Sequence, residues 1–172
     1  MKREIPRRNV LYNLISASLL AALTAALTML HVPVGPGFVH LGDVFVILAG
    51  CLLPMPYAMA AGAIGGGMAD WMLSQTIWIP ATLLVKAAVA ALFSAKRDKI
   101  LCARNVLALL PAAVVTVGGY GIATALLYSW EAALVESLGN LVQAAGSAAI
   151  FCILAGAMDR AGLKGKLTKW GR

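Results

Sequence analysis

Basic residues are almost absent from the long apolar stretches of this chain. Of its 14 lysines and arginines, all but Lys86 lie in residues 1–8, 96–104 or 160–172. The apolar stretches between these segments provide room for helices of about 20 residues, the length that crosses a bilayer. This pattern predicts a bundle of membrane-spanning helices.

The composition excludes an ordinary soluble domain. The 172 residues are 61% hydrophobic and 12% charged, whereas soluble domains average about 45–50% apolar and about 25% charged residues. The net charge of +7 would suit nucleic acid in a soluble protein. Here the basic residues lie beside hydrophobic stretches, which indicates membrane topology and anionic lipid headgroups, with no nucleic acid.

We predict one all-α integral membrane domain over residues 1–172, a bundle of six transmembrane helices. The spans are expected at about residues 10–30, 41–53, 55–73, 79–94, 106–128 and 138–158. The second is too short to cross the hydrocarbon upright, so it is either partly re-entrant or extended by the preceding loop.

The basic segments predict the orientation. With six spans, all three basic segments fall on one face, and the loops near residues 31–40, 74–79 and 129–137 carry no lysine or arginine. Because positive charge is retained on the cytoplasmic side, both termini are expected in the cytoplasm. Five or seven spans would scatter the basic residues over both faces.

Lys86 and two acids form a predicted polar cluster in the outer half of the bundle. A lysine at membrane depth is costly unless a partner or a water-filled cavity receives it. Asp43 opens the second span from outside, and Asp70 continues a small-residue ridge that packs against neighbouring helices, formed by Ala58, Gly62 and Gly66. Two interpretations stay open: a structural ion pair of Lys86 with either acid, or a polar substrate pocket.

A polar stripe on the sixth span extends this cluster. Asn140, Gln143 and Ser147 recur at steps of three and four, which places two amides and a hydroxyl on one helical face. Amides both donate and accept hydrogen bonds, so this face suits a polar heterocycle. Hydrogen bonding between helices is the alternative.

Aromatic and histidine side chains surround the same region. Trp71 and Trp78 flank the cluster and are either interfacial anchors or rings that stack on a ligand. The loop at residues 31–40 mixes Pro and Gly with two histidines, which predicts a turning, non-helical lid that includes His40. The histidine spacing forms no metal motif, so no metal site is expected.

The first span carries a ridge of small residues at Ala17, Ala21 and Ala25. Small ridges allow helix backbones to approach closely in lipid. The ridge therefore predicts either docking onto another membrane protein or packing within this bundle. No phosphate-binding G-x-x-x-x-G-K-[ST] motif, H-E-x-x-H or G-x-S-x-G occurs, so we expect no ATP hydrolysis by this chain and no enzyme of those classes.

Four stretches together resemble a known family. They are FVHLGD over residues 38–43, LLP over 52–54, AGAIGGGMAD over 61–70 and IPATLLVK over 79–86. They resemble the substrate-binding S components of energy-coupling factor (ECF) vitamin transporters. Within that group the chain is most similar to the branch of riboflavin, hydroxymethylpyrimidine and pyridoxine carriers.

The resemblance implies a function and partners. An S component of the bacterial cytoplasmic membrane captures a vitamin or precursor from outside and associates, here through the alanine ridge, with a transmembrane coupling subunit. Two cytoplasmic ATPase subunits then supply the energy, and no cofactor is bound covalently. Asp43, Asp70 and Lys86 lie in the matching region and are carried over as pocket residues. An intramembrane enzyme that uses Asp43 and Asp70, or a structural assembly subunit, are the rival predictions.

Overall fold

A computed structural model describes residues 7–34 and 37–170 of the chain. Within these residues one two-stranded antiparallel hairpin accompanies the helices. The elements in chain order are α1 (Arg7–Met29), β1 (His31–Val34), β2 (Gly37–His40), α2 (Gly42–Leu52), α3 (Met55–Met72), a 3-10 turn (Thr76–Trp78), α4 (Ile79–Ala91), α5 (Ala103–Leu107), α6 (Leu109–Leu127), α7 (Trp130–Arg160) and α8 (Leu163–Trp170).

The helices form an apolar bundle of the predicted all-α membrane class. In the described part of the chain, three helical segments are long and apolar enough to cross a membrane: Asn9–Met29, Ala103–Leu127 and Trp130–Arg160. The segments Gly42–Leu52 and Thr76–Ala91 are apolar but shorter. The predicted fold class is thus confirmed, while the number of complete crossings and the side of the termini stay predictions.

Helix α2 lies at the centre of the bundle. It contacts α1, α3, α4 and α7, and residues 46–51 are buried without interruption. At 1.5 Å per residue its 11 residues extend about 16 Å, roughly half of a ~30 Å hydrocarbon layer. A helix that is apolar on every side belongs in an interior, which explains why so short a span is stable there.

Glycines in α3 allow its close packing between α1 and α4. A Cβ on Gly65 would lie 2.7 Å from the Ala21 carbonyl oxygen of α1, and one on Gly66 would lie 2.8 Å from Thr82 Cγ2 of α4. Any larger side chain would push these helices apart. The ridge predicted to point Asp70 inward therefore faces α4.

The alanine ridge of α1 faces the interior. Ala17, Ala21 and Ala25 have exposed fractions of only 9%, 7% and 4%, and α1 packs on both α2 and α3. This corrects the prediction that the ridge docks onto a partner, because its methyl groups are already used to bring α1 close to α3. A second stripe of small residues, each one position after an alanine of the ridge, is exposed: Ser18, Ala22 and Ala26.

Two predicted loops are regular structure. Residues 31–40, expected as a turning loop, contain the β-hairpin, with His31 opposite His40 and Val32 opposite Val39. Residues 130–137, expected outside the sixth span, already belong to α7, whose N-cap Ser129 accepts a hydrogen bond from the Ala132 N–H at 3.2 Å. Helix α7 therefore begins eight residues before the predicted span, because hydropathy ignores a capped polar turn that continues the same helix.

A network of hydrogen bonds fixes the end of the bundle that holds the segment between α4 and α5. The Asp159 carboxylate of α7 accepts bonds from the backbone N–H groups of Ile100 and Leu101, at 2.9 and 2.8 Å. The buried Asn105 side chain bonds the backbone of Ser94 and Ile100. These contacts hold the basic segment between α4 and α5 against α7, away from the site described next.

Candidate functional site

A cavity of about 730 Å³ lies among α3, α4, α6 and α7, with the hairpin at one side. This volume is in the range of small-molecule sites, about 300–1,000 Å³. Its lining combines apolar, aromatic and charged groups, including His31, His40, Asp43, Gly66, Asp70, Gln75, Trp78, Thr82, Lys86, Thr116, Tyr120, Glu136, Asn140 and Gln143.

An ion pair between Lys86 and Asp43 forms one wall of the cavity. Asp43 lies in the first turn of α2 and Lys86 near the middle of α4, and their side chains are 11% and 9% exposed. The Lys86 Nζ donates a hydrogen bond to Asp43 Oδ1 and also lies 5.4 Å from the centroid of the Tyr120 ring. Lys86 is therefore paired with Asp43, one of its two predicted partners.

Gln143 connects this ion pair to the hairpin. Its Oε1 accepts a hydrogen bond from the His40 N–H at 2.9 Å, and its Nε2 lies 3.2 Å from the His40 carbonyl oxygen. The same nitrogen lies 3.2 Å from Asp43 Oδ2 and 3.0 Å from Ser147 Oγ. Three elements, β2, α2 and α7, thus meet at one buried amide.

Asp70 and Asn140 bring polar atoms without partners to the cavity. Asp70 Oδ2 and Asn140 Nδ2 are both buried, and neither makes a hydrogen bond within the described residues. Buried polar atoms nearly always have a partner. One acceptor and one donor lining the same cavity therefore offer complementary positions to a polar ligand.

Aromatic rings form another part of the wall. The ring centroids of the lining residues Trp78 and Tyr120 are 6.3 Å apart, and Trp78 also lies 6.1 Å from the ring of Tyr128, which is outside the lining. The Tyr120 hydroxyl donates to Thr82 Oγ1 at 3.0 Å, which fixes its ring over Lys86. Flat apolar surface beside polar groups is typical of sites for heterocycles.

The structure brings most of the predicted site residues together. Seven of them line the cavity: His40, Asp43, Asp70, Trp78, Lys86, Asn140 and Gln143. Ser147 is buried behind Gln143 and lines a separate small space of about 30 Å³ on the other side of the ion pair. Trp71 is 67% exposed and is not part of the cavity wall.

Sequence reasoning missed several lining residues. Glu136 lies in a segment that the sequence predicts as a loop, although it precedes Asn140 by four residues and so continues the polar stripe of α7. Its Oε2 accepts a hydrogen bond from the Thr124 hydroxyl at 2.9 Å. Tyr120, alone between two glycines in an apolar helix, was the other available signal.

No group of three His, Cys, Asp or Glu that could hold a metal ion occurs in residues 7–34 and 37–170. An acid–base pair of Asp43 and Asp70 would need the two carboxylates free to face each other, whereas Lys86 and Gln143 occupy both oxygens of Asp43. A purely structural assembly subunit, in which the charged residues only join helices, would have no such cavity.

A family model matches most of the chain. Residues 9–160 match the family model described as "ECF-type riboflavin transporter, S component". No curated protein matches the chain.

Proposed function

Because the chain belongs to the S-component family of ECF-type riboflavin transporters, we propose that its cavity captures a small heterocyclic vitamin or vitamin precursor. S components serve vitamin uptake at the membrane and are not an enzyme class. The observation that carries the proposal is the cavity itself. Its volume of about 730 Å³ suits a vitamin, and it offers both flat aromatic surface and the unpartnered atoms of Asp70 and Asn140.

The hairpin beside the cavity supports capture from outside. The hairpin covers one side and is held by hydrogen bonds through Gln143, which can break and re-form. The same Gln143 amide contacts Asp43, so the hairpin is linked to the Lys86–Asp43 pair of the cavity wall. With both termini cytoplasmic, as the basic segments predict, the hairpin would face the exterior of a bacterial cytoplasmic membrane.

We propose further that uptake depends on partner subunits. A transmembrane coupling subunit and two cytoplasmic ATPases would complete the transporter, since this chain has no phosphate-binding motif of its own. The exposed face of α1 offers a smooth stripe for a neighbouring helix, formed by Ser18, Ala22 and Ala26. Small residues at four-residue steps permit close helix packing in lipid.

Ligand binding by the purified protein tests the capture proposal. Small molecules released from detergent-purified protein are identified by mass spectrometry, and riboflavin is titrated as the first probe. Asn140→Leu is expected to weaken binding about tenfold or more, because it removes a buried donor that the ligand would satisfy. Trp71→Ala is the matched control and is expected to bind normally.

Two outcomes would contradict the proposal. One is that neither a co-purified heterocycle nor binding of any vitamin probe is found for a protein that is folded by thermal unfolding. The other is that Trp71→Ala weakens binding more than Asn140→Leu does, since the ligand would then lie outside this cavity.

A further inference from the structure

The charged groups that line the cavity have an excess of negative charge. Among the described residues the lining carries three carboxylates, Asp43, Asp70 and Glu136, and one ammonium, Lys86. With His31 and His40 counted as neutral, two negative charges are in excess. The excess is unusual in a chain whose overall net charge is +7.

The single cation is not available to a ligand. The Lys86 ammonium is in contact with Asp43 Oδ1, and its other side faces the Tyr120 ring. Gln143 donates to the second oxygen of Asp43. Lys86 and Asp43 therefore neutralise each other, and releasing Lys86 to bind an anion would leave Asp43 buried without its counter-charge.

The remaining carboxylates lie on different walls of the cavity. Asp70 projects from α3, where Oδ2 is buried without a hydrogen-bond partner within the described residues. Glu136 projects from α7, where a neutral hydroxyl, that of Thr124, is its hydrogen-bond donor. No described basic side chain forms an ion pair with either of them. The indole of Trp78, the aromatic ring type that attracts cations best, also lines the cavity.

We propose that the substrate is a flat heterocycle that carries a positive charge, either a protonated nitrogen or a permanently cationic ring, and that phosphate esters are rejected. This inference rests on the proposed function, because it specifies the charge of the ligand captured in that same cavity. Carboxylates in a low-dielectric bundle attract a cation and repel an anion much more strongly than they would in water. Asp70 and Glu136 supply this attraction, and Asn140 Nδ2 donates to an acceptor atom of the ring.

A probe set that varies charge tests the inference by calorimetry on the full-length protein in detergent. Thiamine and pyridoxamine are the cationic probes, riboflavin and pyridoxine the neutral ones, and flavin mononucleotide the anionic one. Pyridoxamine and pyridoxine differ at a single carbon, which carries an ammonium in one and a hydroxyl in the other. The tightest probe is expected to be cationic, with a preference of about ten- to hundredfold over a neutral probe.

Isosteric variants assign that preference to the two carboxylates. Asp70→Asn and Glu136→Gln should each reduce the preference for the cationic probe, and the double variant should abolish it. Glu131→Gln is the control, since this carboxylate lies in the first turn of the same helix as Glu136, is exposed, and does not line the cavity.

The outcomes separate this inference from the proposed function. If riboflavin, pyridoxine or flavin mononucleotide binds tightest, the charge assignment is wrong while the capture function stands. A cationic preference that persists unchanged in the double variant also overturns it. If no probe binds to folded protein, both the inference and the capture function are contradicted.

Discussion

The side-chain amide of Gln143 pairs with both backbone polar groups of His40. It accepts a hydrogen bond from the His40 N–H at 2.9 Å, and its own nitrogen lies 3.2 Å from the His40 carbonyl oxygen. A single side chain of α7 thus makes the two hydrogen bonds to β2 that a neighbouring strand would otherwise make. Because the same nitrogen reaches Asp43, the hairpin is connected directly to the ion pair of the cavity wall.

This pairing predicts that Gln143 holds the hairpin closed. Gln143→Leu keeps a side chain of similar volume but removes every hydrogen bond that the amide makes. The hydrogen of the His40 N–H should therefore exchange with solvent faster. A closed hairpin slows ligand escape, so the dissociation rate of a bound ligand should rise by about tenfold or more. Hydrogen exchange of residues 37–40 and stopped-flow binding measure the two effects. Ser147→Ala, which removes only one acceptor of the same amide, should change neither; unchanged exchange in Gln143→Leu would contradict the prediction.

Lys86 and Asp43 should be strongly coupled in stability. Lys86→Met leaves a buried carboxylate without its counter-charge, which costs about 3–5 kcal/mol. The double change Lys86→Met with Asp43→Asn removes both charges and should recover most of that loss. Thermal unfolding in detergent measures the free energies, with Lys99→Met, an exposed lysine, as the control. A double variant as unstable as the single one would mean that the pair is not the reason for the burial of Lys86.

The sequence predicted this cluster because burial of charge is costly. Lys86, Asp43 and Asp70 are the charged residues inside the predicted spans, so their presence in hydrophobic stretches already indicated a common site. Helical periodicity likewise placed Asn140 and Gln143 on one face. Neither signal could show that Gln143 bonds the hairpin, because that contact joins residues 103 positions apart.

Three other features could not be predicted from the sequence, each for a different reason. Helix α1 contains two interleaved small-residue stripes, and the choice of the buried one depends on where α3 lies rather than on α1 itself. The hairpin of residues 31–40 was missed because Pro and Gly predict a turn but not the pairing of its arms. Glu136 was missed because the limits of a span were drawn by hydropathy, which ends at the first charged turn.

Close packing of α1 on α3 should depend on the absence of a side chain at Gly65. A Cβ there would lie 2.7 Å from both the Ala21 carbonyl oxygen and Thr24 Cβ. Gly65→Ala is therefore expected to destabilise the protein by about 1–3 kcal/mol. Gly118→Ala in α6 is the matched control, since nothing lies within 4 Å of its Cβ position, and it should be neutral or stabilising by about 0.5–1 kcal/mol. Equal unfolding temperatures for both variants would contradict this packing.

Substitutions on the two stripes of α1 should affect different properties. A change on the buried stripe should affect stability, and a change on the exposed stripe should affect assembly with the coupling subunit. Ala21→Leu places a large side chain in the buried contact with α3 and should lower the unfolding temperature by several degrees. Ala22→Leu adds the same volume on the exposed stripe and should leave the isolated protein as stable as before. If the exposed stripe docks onto the coupling subunit, Ala22→Leu should nevertheless reduce co-purification of that subunit from membranes. Full co-purification with Ala22→Leu would place the docking surface elsewhere.

The buried ring of His40 predicts a dependence of stability on pH. Burial lowers the pKa of His40 below its ordinary value; Lys86 and His31 act in the same direction, and Asp43 opposes them. In the unfolded chain His40 takes up a proton near pH 6.5, whereas the folded protein resists protonation. The unfolded state therefore binds more protons, and the stability contributed by neutral His40 is complete above about pH 6.5 and is lost as the pH falls through the lower folded pKa.

Unfolding temperatures measured between about pH 8 and about pH 5 check this dependence. The unmodified protein should lose more stability on acidification than His40→Gln, whose side chain does not titrate. His31→Gln, at the exposed start of β1, should keep most of the acid sensitivity. The main cause of the lowered pKa of His40 is the burial of its own ring, which this change leaves in place. Parallel curves for the unmodified protein and His40→Gln would show that this histidine is not the source, because only a group with different proton affinity in the two states can tilt the curve.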